Sequence, residues 1–160
     1  MSKWFTIGID PGNTGAIAFY DGEKLTLNDM PVVSVVRNSK TKNRVDAALV
    51  ANIIRPFATQ VKHAYVELVN AMPSQGVSSV FTFGRGAGIL EGVLAGLQIP
   101  YTLVTPQRWQ KHQGVAKGKD ASRARAAMLF PKNADDFKRK KDDGRADAAL
   151  IARYGSQQDS

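Results

Sequence analysis

The stretch Trp4-Phe-Thr-Ile-Gly-Ile-Asp10-Pro-Gly-Asn-Thr14-Gly-Ala-Ile-Ala-Phe-Tyr20-Asp-Gly22 decides how this chain folds. Residues 4–9 are an apolar run that stops at Asp10-Pro-Gly, the pattern of a buried strand entering a turn. Thr14 to Tyr20 reads as a second apolar strand, and Asp21-Gly22 is a hairpin signal leading into a third strand over Lys24–Asn28. The chain therefore opens with three consecutive antiparallel strands. Asp10 stands out among them, because an ionised carboxylate is costly in an apolar setting unless a cation or hydrogen bonds compensate it. Taken alone, Asp10 before Pro-Gly reads equally well as a turn residue.

Outward from this opening, Asp46 can cap a helix whose apolar positions Leu49, Val50, Ile53, Ile54 and Phe57 follow helical spacing, with Pro56 near its end. Val61 to Val69 is a further strand, rich in β-branched and aromatic residues. Ser78 to Leu97 reads as a long helix and Tyr101 to Val104 as a short strand, and Pro106 suits the first turn of a helix through Trp109. Gly114–Gly118 is a loop, Asp120 can cap a helix to Phe130, and Pro131–Asp136 breaks it. A last helix runs from about Asp142 to Tyr154. Residues 1–155 are expected to form one domain, with a disordered tail at 156–160. The order predicts an α/β fold, a mixed five-stranded sheet with three antiparallel and then parallel strands and helices on both faces. That order matches the ribonuclease-H-like fold.

Length and composition bound the function. At 160 residues the chain is one domain by length, with 43% hydrophobic and 22% charged residues, as in soluble globular proteins. No apolar run approaches a membrane span, and a strand-like pattern starts directly after Met1-Ser-Lys, so neither a membrane nor a signal peptide is expected. The chain has no cysteine, which excludes disulfides and thiolate chemistry and is compatible with a reducing cytoplasm. A net charge of +8 favours an acidic polymer as partner. The charge is clustered. Twelve Lys and Arg lie between Thr105 and Arg145 against five acids, among them Arg108, Lys111, Lys117, Lys119, Lys140 and Lys141. A second cluster, Arg37, Lys40, Lys42 and Arg44, lies in a Ser/Thr/Asn-rich stretch that reads as a loop. Each alone could be a solvated face. Together they read as a track for a phosphate backbone.

Three further acids join Asp10. In Ala64-Tyr-Val-Glu67-Leu-Val, alternation puts Tyr65, Glu67 and Val69 on one face of a strand, with apolar neighbours that argue for burial. Asp143 and Asp147 are four residues apart and so share one helix face, where like charges repel unless a cation intervenes. Arg145 and the Lys138–Lys141 run could neutralise them instead, and Asp142 competes with Asp143. Oxygen-only ligands select Mg²⁺ or Mn²⁺. Two such ions about 3.5–4 Å apart can hydrolyse a phosphodiester. No histidine is needed for this, and His63 and His112 read as ordinary structure.

Ile7-Gly-Ile-Asp10-Pro-Gly with Thr14-Gly, Val66-Glu67, Phe83-Gly-Arg-Gly-Ala-Gly88, Pro106-Gln-Arg-Trp109, Lys119, and Asp143 with Asp147-Ala-Ala-Leu resemble the RuvC family of Holliday-junction resolvases, in particular its bacteriophage and poxvirus-like branch. The resemblance implies that Asp10, Glu67, Asp143 and Asp147 hold two Mg²⁺ ions. It implies a homodimer that nicks a four-way DNA junction symmetrically, with no nucleotide cofactor. Lys119 falls where the family places a lysine near the scissile phosphate, and Lys117 contests that position. The basic residues above, with Arg85, are then expected to contact DNA. Two departures stand out. Asn70 occupies the place of an aromatic residue that bacterial members use to disturb base stacking, leaving Met72 or Phe81 as substitutes. The last two acids are spaced by four residues where many bacterial members have three. A four-residue row, Gly84, Gly88, Gly92 and Gly96, implies close backbone approach, to the sheet or to the twin helix of a dimer, and the resemblance favours the dimer.

Other readings stay open: a related nuclease preferring flaps, forks or other branched DNA, or a non-catalytic basic module whose acids are caps and ion pairs. An actin-like or sugar-kinase ATPase is suggested by Asp10-Pro-Gly-Asn-Thr14-Gly, but needs two lobes that a chain of this length lacks.

Overall fold

The computed structural model describes residues 3–68 and 70–158. Its centre is a five-stranded sheet of β1 (Phe5–Asp10), β2 (Ala16–Tyr20), β3 (Leu25–Asp29), β6 (Val61–Glu67) and β7 (Tyr101–Val104), in spatial order β3-β2-β1-β6-β7. β1 pairs antiparallel with β2 and parallel with β6, and β6 pairs parallel with β7. The mixed sheet read from the sequence is the one observed. Of the strand expected over Val61–Val69, Val69 lies outside the described residues.

Side-chain alternation sorts β1 between two cores. Ile7 and Ile9 join Ile17, Phe19, Val50, Ile54, Leu90 and Leu94 on one face, under α1 (Ala47–Ile54) and α2 (Val77–Gly96). Thr6, Gly8 and Asp10 point to the other, covered by α3 (Pro106–Gln113), α4 (Ala121–Leu129) and α5 (Asp143–Ser156). There Trp109, Ala126, Ala146, Ala148, Ala149 and Leu150 form the second core. None of the helices is long and apolar enough to cross a membrane, among the described residues.

α5 lies unusually close to the sheet. A Cβ on Gly8 would come within 2.3 Å of both the Ala148 carbonyl oxygen and the Ala152 nitrogen, and one on Gly144 within 2.3 Å of the Thr14 oxygen. The small residues of Ala146-Asp147-Ala148-Ala149 allow this approach.

Three sequence expectations change, and one open alternative is narrowed. The stretch holding Arg37, Lys40, Lys42 and Arg44 is a β-hairpin, not a loop: β4 (Val32–Arg37) pairs antiparallel with β5 (Lys40–Val45). Its two-residue turn is Asn38-Ser39, both with left-handed φ of 51° and 57°, as a primed turn requires. Asp120 does not cap α4 with its side chain. Its own φ is 64°, not the extended backbone of an N-cap, and its carboxylate turns to Arg123. The tail is not loose as far as Gln158. α5 continues through Ser156, Gln113 Nε2 donates to Gln157 Oε1 at 2.8 Å, and Gln158 Nε2 donates to the Tyr154 oxygen at 3.1 Å. Finally, the glycine row does not pack on the sheet: a Cβ at Gly84, Gly88, Gly92 or Gly96 would meet open space.

Gly8→Ala is expected to lower stability by about 1–3 kcal/mol, the usual cost of overpacking, read as a lower urea midpoint. An unchanged midpoint would mean that α5 can be lifted from β1 without penalty.

Candidate active site

Asp10 ends β1 and Glu67 ends β6, and these neighbouring strands run parallel with Ile9 beside Val66. Both carboxylates therefore leave the carboxyl edge of the sheet on the α5 face, where α/β proteins place ligand sites. α5, seated on Gly8, brings Asp147 to the same place. Each side chain is only half-exposed or less, and each is electrostatically burdened. Burial first, and then the neighbouring charge of Glu67, push the Asp10 carboxyl up to about 7, against a single weak backbone bond from Gly12 at 3.4 Å. Burial and then Asp10 push Asp147 up to about 8, although Ser122 of α4 donates a hydrogen bond to it. Burial also raises Glu67, opposed by the Trp109 indole, whose Nε1 donates to Glu67 Oε2 at 2.8 Å. Among the described residues, no lysine or arginine forms an ion pair with these three acids.

Asp142 and Asp143 have opposite environments. Asp142 is 2% exposed. Its carboxylate accepts from the Arg139 backbone N–H at 2.8 Å and pairs with the Arg139 guanidinium at 2.9 Å. Burial alone would raise it, yet Arg139 holds it below the usual carboxylate range. Asp143 is exposed, at the mouth of the site, and its charge reaches both Asp10 and Asp147. Arg123 Nε donates to its Oδ1 at 3.2 Å. Neither Arg145 nor Lys138 neutralises the Asp143–Asp147 pair. Arg145 forms a two-pronged ion pair with Asp29 at 2.7 and 2.9 Å, and Lys138 pairs with Asp135.

Among the described residues, no three Asp, Glu or His side chains form a ready-made metal cage. The donor set still suits a hard divalent ion. It is all oxygen and partly buried, and among the described residues no lysine or arginine pairs with Asp10, Glu67 or Asp147. Mg²⁺ commonly binds through one or two carboxylates while keeping waters and substrate oxygens, so an open site is compatible with it.

Lys117 and Lys119 are exposed in the turn before α4. Arg123 also holds Asp120, so this loop ends beside Asp143. Lys140 and Lys141 line a cleft with Asn13, Thr14, Asp143 and Gly144. Arg37, Lys40, Lys42, Arg44 and Arg85 line a second cleft between the hairpin and α2. Arg108 and Lys111 are exposed on α3, the helix whose Trp109 holds Glu67. Asn70 and Met72 are exposed beyond β6. His63 contacts Thr102 and Tyr65, and His112 packs on Tyr154. The sequence reading assigned no role to Trp109 or Ser122. A tryptophan three residues after a proline that opens a helix marks only a core position until the fold sets it beside Glu67.

No protein-family model matches this sequence. The chain is 32% identical, over an alignment of 146 residues that covers 79% of the chain, to "Holliday junction resolvase MOC1, chloroplastic" of Chlamydomonas reinhardtii. It spans 17% of that relative's length. Among solved structures it superposes on RuvC of Thermus thermophilus with a TM-score of 0.57 at 14% identity, covering 96% of each chain. The T. thermophilus RuvC in complex with Holliday junction substrate gives 0.56 at 13%, again covering 96% of each.

The raised carboxyl groups set a pH dependence. The fold holds protons on Asp10 and Asp147 up to about 7 and about 8, against 3.8 ordinarily. It thus binds more protons than the unfolded chain in that window, and stability falls as pH rises through it. In chelator, the melting temperature is expected to decline by several degrees from about pH 4 to pH 8, and Asp147→Asn to flatten the decline. A wild-type melting temperature that rises over this range would contradict the burial of these charges. The chain has the RuvC form of the ribonuclease-H-like fold, with its acidic residues gathered at the carboxyl edge of the central strands.

Proposed function

We propose that this chain is a metal-dependent endonuclease of the RuvC family that resolves four-way DNA junctions by paired nicks. The observation that carries the reading is the convergence of Asp10, Glu67 and Asp147 from three separate elements, with no ion-paired lysine or arginine on them among the described residues. A module whose acids were only caps and ion pairs would look like Asp142, neutralised by Arg139. Likeness to the Chlamydomonas resolvase in sequence, and to RuvC in fold, supports the junction as substrate.

In this reading Asp10, Glu67 and Asp147 hold divalent metal, Mg²⁺ with Mn²⁺ as a substitute, and Asp143 completes the set from the rim. A pair of such ions would supply an activated water and stabilise the leaving 3′ oxygen. The residues do the positioning. Trp109 fixes the Glu67 carboxylate, Ser122 fixes Asp147, and Arg123 tethers Asp143 beside the lysine loop. Lys119 is placed to approach the scissile phosphate, and Lys140 and Lys141 to neutralise the backbone entering the cleft. Asp10→Asn or Asp147→Asn is expected to abolish Mg²⁺-dependent cutting of a mobile four-way junction while leaving binding in Ca²⁺ intact. Paired nicks should give ligatable duplexes. Scattered nicks, or flaps cut as fast as junctions, would favour a broader branched-DNA nuclease, and a wild type that cuts no branched DNA with Mg²⁺ or Mn²⁺ would refute the enzyme.

Paired nicking calls for a homodimer, for which the glycine row on α2 offers a face. Each helical glycine costs about 1 kcal/mol relative to alanine, and among the described residues nothing lies within 4 Å of where a side chain at these positions would begin. Gly88→Leu is expected to leave the chain folded and convert dimer to monomer in sedimentation. A dimer untouched by that change would remove α2 from the interface.

A further inference from the structure

Trp109 meets the candidate site from the core side. β7 ends at Val104, which pairs with Glu67 in the parallel register. The chain turns there directly into α3, where Thr105 Oγ1 accepts from the Arg108 N–H at 3.3 Å and Pro106 opens the first turn. One turn on, Trp109 enters the second core and is fully buried. A buried N–H without an acceptor costs about 1–3 kcal/mol, and here Nε1 donates to Glu67 Oε2 at 2.8 Å. The ring has no room to turn away, whereas a glutamate is a flexible chain. The tryptophan therefore fixes the carboxylate, not the reverse.

The hold on Glu67 differs from that on the other two buried acids. The Ser122 hydroxyl at Asp147 rotates freely and can accept as well as donate, and the Gly12 N–H lies 3.4 Å from Asp10 Oδ1. An indole N–H only donates, so Oε2 stays committed to it. Among the described residues no hydrogen bond reaches Glu67 Oε1. Glu67 thus has one oxygen to offer a cation, where an unheld glutamate has two.

Divalent cations differ in what they ask of a carboxylate. Ca²⁺ gathers roughly six to eight oxygens and readily takes a carboxylate by both, while Mg²⁺ holds to a tight octahedron and keeps several waters. We propose that Trp109 sets the cation preference of this site, disfavouring Ca²⁺ against Mg²⁺ and Mn²⁺ by withholding Oε2 of Glu67. This rests on the nuclease reading above, in which Glu67 is a metal ligand, and names the residue that selects the ion. Trp109 is a positioning residue, since it acts only through Glu67.

Calorimetric titrations of the full chain with Mn²⁺ and with Ca²⁺ test this. Trp109→Phe keeps a ring in the core and removes the donor. It is expected to shift the ratio of Ca²⁺ to Mn²⁺ affinity about tenfold toward Ca²⁺, while Ser122→Ala weakens both ions alike. An unchanged ratio in Trp109→Phe, or the same shift in Ser122→Ala, overturns the proposal. The indole proton of the unaltered ring gives a second reading by nuclear magnetic resonance. The chain has two tryptophans, so Trp4→Phe, at a position 57% exposed, assigns the Trp109 signal, and Glu67→Ala gives its position without the bond. Saturating Mg²⁺ should leave the signal at its hydrogen-bonded position. Movement to the Glu67→Ala position means that both oxygens go to the ion, and also overturns the proposal. If Glu67→Ala binds both ions as the wild type does, the metal reading of Glu67 falls and this inference with it. If that variant loses binding and the Trp109→Phe ratio does not move, only the role of Trp109 falls.

Discussion

The approach of α5 to β1 is the contact on which the rest of the molecule depends. At Gly8 the helix backbone lies where any side chain would stand, so only a glycine lets the helix sit this low. That seat does two things at once. It buries the alanine stripe of α5 in the second core, and it brings Asp147 to the edge where Asp10 and Glu67 already end their strands. The packing that stabilises the fold is therefore also what forces like charges together. Burial drives all three carboxyl groups toward their neutral forms, and the metal-free protein carries that tension as part of its structure.

The surrounding elements divide the acids by role. Asp142 and Asp143 are adjacent in sequence, yet one is buried against Arg139 and closes the turn into α5, while the other faces solvent and turns to Arg123. Arg145 links the same helix to β3 through Asp29. These ion pairs engage Arg123, Arg139 and Arg145, and among the described residues none of the ion pairs reaches Asp10, Glu67 or Asp147. The indole of Trp109 and the hydroxyl of Ser122 hydrogen-bond to two of the three without neutralising them.

Much of this was legible in the sequence because it follows from short-range pattern. The apolar runs ending at Asp10 and Glu67, and the four-residue spacing of Asp143 and Asp147, specify strand ends and a helix face directly. What was not legible depends on contacts across the chain. The hairpin was missed because its second strand, Lys40–Val45, is almost wholly exposed and polar, so it lacks the alternation that marks a half-buried strand. The β-branched run Val32-Val33-Ser34-Val35-Val36 was the available signal. Trp109 and Ser122 acquire their partners only when α3 and α4 dock beside α5. The choice between Asp142 and Asp143 turned on Arg139, whose reach back to Asp142 spacing alone does not reveal. The tail was read as disordered, although Gln113 donates to Gln157 and holds it on the fold.

The central claim is that Asp10 and Asp147 are buried acids awaiting a cation, and it is tested most directly by counting protons. Metal ligands must be deprotonated, so binding to acids that still hold protons at neutral pH releases them. Calorimetric titration of Mn²⁺ into the protein at about pH 7, in buffers of different ionisation enthalpy, measures that release. The account predicts saturable binding with net proton release that diminishes in Asp147→Asn. Binding with no proton release, or no binding in the absence of DNA or in its presence, would contradict it.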